Sequence, residues 1–540
     1  MKKLVSLFLA AMMLLSVLPL AVAKEEVPTL TVMMMDNGRT WDPETTNNKK
    51  IQEILGVRLD VTTGMKDDTM NMQFASGELA DIITLNKMNY TEYLDSGYLL
   101  PLNDLLDQYG PTIKERTTDF GFQCCTVDGK IYGFPYENNN VKYFTEIRKD
   151  WLDNLGYDLS KYTQIEGSDV YNIPMEDYIQ MLRDFTFKDP DGNGKNDTYG
   201  LTFHGASSIE TQFMAFYGAF GGVMTQYYLK DNTVWPFEAT DDFRAALEQL
   251  HALWVEGVID PEIFILQQDQ ARANLMSGKS GSFVSWWSSA YELIRDGMWD
   301  MQPTAEWISC EIVGQDGKVG MKDNGRISNT VHITTSCKNP ELAMQVLDKL
   351  NTEEVWWLIR YGVAGEHYNV DENGNYSGTR TEAGQKLFEG MRMDTLYNLT
   401  NCIDLENKAN SIPPTDVKML VRYGKLIHQF IDAPLYHDLF YGMATTDEYK
   451  TYSVDVQNTV NTAVMNFITG AVELNDANWQ AYLNNWKSMG GADVLKSYVD
   501  AYNKLNNTAY EPALSDLNKI IQGNHSLKPK NGSPGPLQES

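Results

Sequence analysis

Between residues 30 and 84 the chain alternates two hydrophobic patterns, and this alternation limits its fold more than any other feature. Residues 30–34 form a short continuous apolar run, 47–55 carry helical spacing closed by Gly56, and 58–61 read as a second strand. A second helical stretch, 69–75, is broken by Gly77 and leads into the apolar segment 81–84. Strand, helix, strand, helix, strand in that order implies a parallel sheet with right-handed crossovers. Ligands of such open sheets bind beyond the carboxyl ends of the strands, so residues 36–41 and 85–90 are either site loops or ordinary surface loops.

A chain of 540 residues is too long for one simple core, and its 43% apolar content is that of a folded protein, so two or more lobes are expected. Around Asn138, Asn139 and Asn140 the apolar period disappears, and a new run of elements begins at Tyr143, which places a first crossing between lobes there. Asn172 and Pro174 open a helix bearing Tyr178, Met181, Leu182 and Phe185 on one face; Thr240 opens another bearing Phe243, Leu247, Leu250 and Trp254. Asn339 and Pro340 start a third, with Ala343, Val346, Leu347 and Leu350 as its stripe. Toward the end Tyr452, Val456, Val460, Val464 and Phe467 recur at helical spacing, and Trp479, Tyr482, Leu483, Trp486 and Met489 repeat a packing face. Residues 523–540 lack any apolar period and read as a disordered tail.

Lys2 and Lys3 precede an apolar run over 4–18, and Ala21, Val22 and Ala23 supply small residues at cleavage spacing, so residues 1–23 read as a signal peptide and the mature chain as exported. The competing reading is a retained anchor, which the run is barely long enough to form. Lys24 follows Ala23 with no cysteine nearby, so no lipid-attachment site is seen. The 73 acidic against 44 basic residues give a formal charge of −29, which repels nucleic acid and anionic headgroups and favours a neutral or cationic ligand. The five cysteines match neither a disulfide framework nor a zinc pattern; Cys124 and Cys125 are adjacent and could close a strained bridge, and small buried apolar roles are expected for most.

Two segments carry recognisable chemistry. In residues 189–197, Asp189, Asp191, Asn193 and Asp197 alternate along a Gly-rich turn, and the Lys195 carbonyl stands at the seventh position of a calcium loop. The twelfth position is Gly200, so no bidentate Glu is present, and the competing reading is a metal-free polar turn. Residues 281–287 form a strand that runs into Trp286 and Trp287, suited either to a cleft wall that stacks on sugar rings or to the core. Alternation along a strand lets only one of the pair face a ligand. No metalloprotease, nucleophile-elbow or phosphate-loop motif occurs, and the seven histidines lack ligand spacing. Paired carboxylates for glycoside cleavage cannot be singled out among so many acidic residues.

Segments 74–83, 98–105, 128–135 and 147–152, in this order, resemble the family 1 extracellular solute-binding proteins of ATP-binding-cassette importers, particularly the long carbohydrate-binding type. Residues 361–368, 489–491 and 498–503 extend the likeness over nearly all of the mature chain. The resemblance implies an α/β, two-lobed, periplasmic-binding-protein-like fold of type II, with hinge-connected lobes and a cleft between them. One lobe is then expected from 24–143 and 325–400, the other from 144–324 and 401–522. It further implies calcium held by Asp189, Asp191, Asn193, Lys195 and Asp197, although Thr198 replaces an acidic residue of the family loop. Trp286 and Trp287 match a segment that places an aromatic against the ligand in sugar-binding relatives; Trp41, Tyr136, Glu137, Asn86, Tyr361 and Tyr368 complete the candidate contacts. The expected ligand is an oligosaccharide, the partner a membrane permease, the protein a monomer without catalysis. The alternatives are a secreted carbohydrate-active hydrolase or lyase, and a binder of peptides or another solute.

Overall fold

The computed structural model describes residues 27–86, 91–94, 96–137, 143–164, 170–202, 209–286, 301–322, 327–405, 435–443 and 445–514. The leader expected over 1–23, the tail over 523–540 and the lobe-boundary residues Asn138, Asn139 and Asn140 lie outside them.

Eleven strands make the two large sheets: β1 Thr29–Met35, β2 Arg58–Met65, β3 Ile82–Asn86, β4 Phe134–Glu137, β5 Tyr143–Arg148, β6 Thr163–Gln164, β7 Tyr171–Pro174, β8 Tyr199–Leu201, β9 Ser280–Trp286, β10 Trp307–Val313 and β11 Ile327–Ile333. The first sheet has the order β2-β1-β3-β11-β4. Its first three strands are parallel, with Val32 opposite both Val61 and Ile82. They are joined by helices Thr46–Leu55 and Asp67–Ser76, as the alternating pattern predicts. Gly56 ends the first of these helices at φ 72°, a left-handed conformation that costs glycine no clash of a Cβ with the carbonyl. Two strands from distant parts of the sequence complete the sheet antiparallel to their neighbours: β11 beside β3, and β4 beside β11.

The second sheet has the order β8-β9-β5-β10-β7-β6 and is mixed: β5 runs antiparallel to β9 and β10, while β8 pairs parallel with β9 and β7 with β10. Each sheet has its own core. Leu30, Val32, Ile82, Phe134, Val331 and Leu347 belong to one, Ile147, Tyr178, Leu247, Ile312, Val464 and Trp486 to the other. Chain segments 30–134 and 331–399 thus feed the first core, and 147–312 with 440–499 most of the second.

The expected helices form, with local differences. Thr240 caps Asp241–Glu256 by accepting from Phe243 N at 3.2 Å, and Asn339 caps Pro340–Leu350 by accepting from Leu342 N at 3.1 Å. The helix expected to open at Asn172 begins instead at Met175, because Tyr171–Pro174 pairs as a strand with Cys310–Val313 and Pro174 has an extended ψ of 141°. Trp479, Tyr482, Leu483 and Trp486 are buried as expected, but Met489 is 42% exposed. The helix is kinked there, with Gly490 outside helical geometry at φ 99°, and Met489, next to the kink, leaves the packing face. All five cysteines are buried and none forms a disulfide, Cys124 and Cys125 included, and burial pushes the Cys124 thiol up to about 12. Among the described residues no helix is long and apolar enough to cross a membrane.

Candidate functional site

Register locates the site. Asn329 stands opposite Asn86, the last residue of β3, and Ile327 stands opposite Glu137, the last residue of β4. The chain therefore leaves the first sheet after Glu137, and re-enters it at Ile327, along the same edge that carries the carboxyl end of β3. In the second sheet Trp286, the last residue of β9, is opposite Tyr143, the first residue of β5. The carboxyl ends of β3 and β9 therefore both lie where the chain passes between the sheets, which is where ligands of such sheets bind. The backbone of Trp286 is fixed by this pairing; its side chain and all of Trp287 lie outside the described residues.

The other expected contacts fall into three environments. Tyr136 is buried and meets Tyr397 edge-on, with centroids 4.9 Å apart and rings at 83°. Glu137 is also buried, and its carboxylate is engaged inside the protein: it accepts from Thr118 N at 3.1 Å, from the Thr118 hydroxyl and from Asn401 Nδ2 at 2.8 Å. Asn401 Oδ1 in turn accepts from Glu137 N at 3.0 Å, so these two residues clamp the end of β4. Asn86 donates its amide to Asp67 Oδ1 at 2.9 Å. Trp41 is half-buried against the first core, with its indole Nε1 enclosed and without a hydrogen-bond partner among the described residues. Tyr361 and Tyr368 belong to a separate aromatic group with Trp357 and Tyr376, in which Tyr361 and Tyr376 are 4.5 Å apart. Trp357, Tyr368, Lys50 and Glu53 line a cavity of about 550 Å³ beside it. The sequence reading missed Tyr397, Asn401, Trp357 and Tyr376, none of which stands in a local motif.

The loop 189–197 folds around its own carboxylates. Asn193 N donates to Asp189 Oδ1 at 3.1 Å and to Asp191 Oδ1 at 3.3 Å, and Gly194 N donates to Asp189 Oδ2 at 3.0 Å. The Asn193 amide donates to Asp191 at 2.8 Å and to Asp197 at 3.1 Å. The Asp191 carboxyl is held above its ordinary range, first by partial burial and then by a hydrogen bond to Asp189 and the charges of Asp197 and Asp189. A divalent cation would relieve that repulsion, so the donor set suits calcium. Among the described residues no three His, Cys, Asp or Glu side chains are placed to hold a metal by themselves, so the Asn193 oxygen and the Lys195 carbonyl would have to complete a shell. Two departures from a full calcium loop have structural causes. A Cβ on Gly200 would lie 2.5 Å from Leu182 O, which excludes a glutamate at the twelfth position. Thr198 is buried and donates its hydroxyl to Phe185 O at 2.7 Å, so it is a packing residue of the helix contact.

Two separately cored α/β sheets joined at the carboxyl ends of their strands define a two-lobed binding protein of the periplasmic type II class. The chain belongs to the bacterial extracellular solute-binding protein family, whose model matches residues 56–355. It is similar to the polygalacturonan/rhamnogalacturonan-binding protein YtcQ of Bacillus subtilis, 22% identical over 84% of this chain and 87% of that one. In fold it is similar to the EF-hand mutant of the Streptococcus pneumoniae substrate-binding protein FusA in complex with fructo-nystose (TM-score 0.64, 17% identity, covering 89% of this chain and 99% of that one). It is likewise similar to the alginate-binding protein AlgQ2 solved without calcium ion (TM-score 0.60, 19% identity, covering 89% and 98%).

Proposed function

We propose that the chain is the extracytoplasmic component of an ATP-binding-cassette importer that captures an oligosaccharide between its lobes and presents it to a membrane permease. The observation that carries this reading is the convergence of Asn86 and Glu137 on one sheet, and Tyr143 and Trp286 on the other, at the passage between two independent cores. The lobes are assigned as 24–143 with 325–400, and 144–324 with 401–522. The sugar-binding names of YtcQ and FusA support the ligand class. Trp286 or Trp287 supplies a stacking wall, Trp41, Tyr136, Asn86, Tyr361 and Tyr368 are the further candidate contacts, and Glu137 acts from below by holding the end of β4. Ligand bound to one lobe gains its remaining contacts from the other on closure, which shifts the population toward the closed shape. Calcium in the loop 189–197 is a structural ion in this reading, supported by the EF-hand of FusA and by AlgQ2, solved without calcium ion.

The test is a thermal-shift panel of galacturonan and rhamnogalacturonan fragments, fructooligosaccharides and peptides. A ligand at one hundred times its Kd stabilises the folded state by about 2.7 kcal/mol, which a melt resolves. A sugar that raises the Tm and is recovered intact supports the proposal. A shift with peptides alone, or catalytic release of sugar products, overturns it.

A further inference from the structure

A second concave surface lies mainly on the C-terminal helices Asp447–Thr469 and Asp476–Trp486, between elements whose buried faces belong to the second core. It is a groove of about 440 Å³, within the size range of small-molecule sites. Phe467, Tyr482 and Met489 give it large apolar surface, and most of its remaining lining is Asn and Thr, with Ala463, Val472 and Ala481 between them. Asn458, Thr462 and Asn466 follow one another at four-residue spacing along the first helix, and Asn485 faces them from the second.

Three features set this groove apart from an ordinary solvated helix surface. Asn and Thr are poorer helix formers than the Lys, Glu or Ala that exposed helix positions usually carry, so this stripe costs local helix stability. The side-chain amides of Asn458, Asn466 and Asn485 have no hydrogen-bond partner among the described residues, which leaves their donors and acceptors available. In a chain with 22% charged residues, Asp455 is the one charged residue of the lining. The kink at Gly490, between the two last helices, leaves Met489 at the end of the groove; glycine is needed there, since a Cβ would lie 2.2 Å from Tyr452 Cγ.

Apolar surface flanked by uncharged groups that both donate and accept matches a neutral sugar chain, whose C–H faces pack on that surface while its hydroxyls pair with amides. We infer that this groove is a second glycan-binding site, separate from the passage between the lobes. The same chemistry is offered by a free oligosaccharide and by a neutral polysaccharide strand at the cell surface. The inference stands on the groove alone and needs no sugar in the cleft.

The test uses the full-length protein, the triple variant Asn458→Ala, Asn466→Ala, Asn485→Ala, and the two single variants Trp286→Ala and Trp287→Ala, one of which removes the cleft wall of the proposed function. Soluble neutral oligosaccharides are titrated by calorimetry and counted by native mass spectrometry, and insoluble neutral glycan and purified cell wall are used for co-sedimentation. The triple variant replaces exposed groups by the best helix former and should melt at or above the parent temperature. Its affinity for one class of glycan should fall at least tenfold, while Trp286→Ala and Trp287→Ala keep that component. A response to soluble oligosaccharide identifies a subsite for free ligand, and one to insoluble glycan alone identifies a surface-retention site; either supports the inference. If the triple variant matches the parent with every glycan while Trp286→Ala or Trp287→Ala loses binding, the groove is overturned and the proposed function stands. If the parent holds glycan through the groove and neither Trp286→Ala nor Trp287→Ala changes anything, the cleft reading fails and this one stands. A parent that binds none of these glycans overturns the groove site.

Discussion

The backbone N–H of Ile327 donates a hydrogen bond to the phenolic oxygen of Tyr441 at 2.5 Å. Ile327 opens the strand that re-enters the first sheet, whereas Phe440, the neighbour of Tyr441, is buried in the second core and stacks on Tyr498 with centroids 5.1 Å apart. Tyr441 itself stacks on Phe120 at 5.8 Å. Two adjacent residues therefore face different lobes, and one of them bonds a strand whose pairing with β4 is irregular just there, between Ile327 and Asn329.

Tyr441→Phe keeps the ring and removes the acceptor. A buried donor left unpaired costs about 1–3 kcal/mol, so the variant should melt below the parent. Its lobes should also be less constrained, seen as a larger radius of gyration by solution scattering without ligand. Unchanged melting and scattering would show that this bond does not hold the lobes together.

Chelation should lower the Tm if calcium occupies the loop 189–197, and added calcium should restore it. Asp191→Asn, which removes one carboxylate from the cluster, should blunt that response. Gly200→Glu would complete the calcium-loop pattern on paper, yet it should destabilise the protein, since its Cβ would meet Leu182 O at 2.5 Å. Tighter calcium binding with an unchanged melt in Gly200→Glu would refute the steric account.

For the tryptophan pair, truncation of the residue that faces the ligand should weaken binding of a verified sugar at least tenfold, because stacking adds about 0.5–1.5 kcal/mol to the area buried. The core-packed partner should cost about 3–5 kcal/mol of folding stability when truncated. Calorimetric titration of Trp286→Ala and Trp287→Ala distinguishes them, and parental affinity in both would move the site elsewhere.

Glu146 lies on the central strand of the second sheet, fully enclosed, with one oxygen accepting from Ser309 at 2.8 Å. Burial raises its carboxyl from 4.5 to about 8, against the smaller lowering effect of Ser309. A folded-state value above the unfolded one gives stability that is complete below about pH 4.5 and is lost as the pH rises toward 8. Glu146→Gln should therefore flatten the decline of Tm between pH 5 and pH 8 (roughly the span of that shift) and melt above the parent at the upper end. Parallel melting curves for the two proteins would show that Glu146 is not the source of the slope.

The opening strands and helices were legible because apolar period and the stops at Gly56 and Gly77 record local backbone geometry, which neighbouring residues alone specify. The caps at Thr240 and Asn339 and the oxygen alternation of 189–197 were legible for the same reason. The antiparallel return of Ile327–Ile333 was not, since strand pairing is chosen by contacts between distant segments. Nor was the position of Glu137, whose carboxylate is held by Asn401, 264 residues away. Gly200 has the place of a missing ligand until the carbonyl of Leu182 is set beside it, and Met489 has the spacing of a core residue until the kink at Gly490 turns it outward. Short-range steric and hydrophobic preferences act within a few residues and so can be read along the chain, whereas buried polar partners and close backbone approaches exist only once the tertiary fold has brought remote segments together.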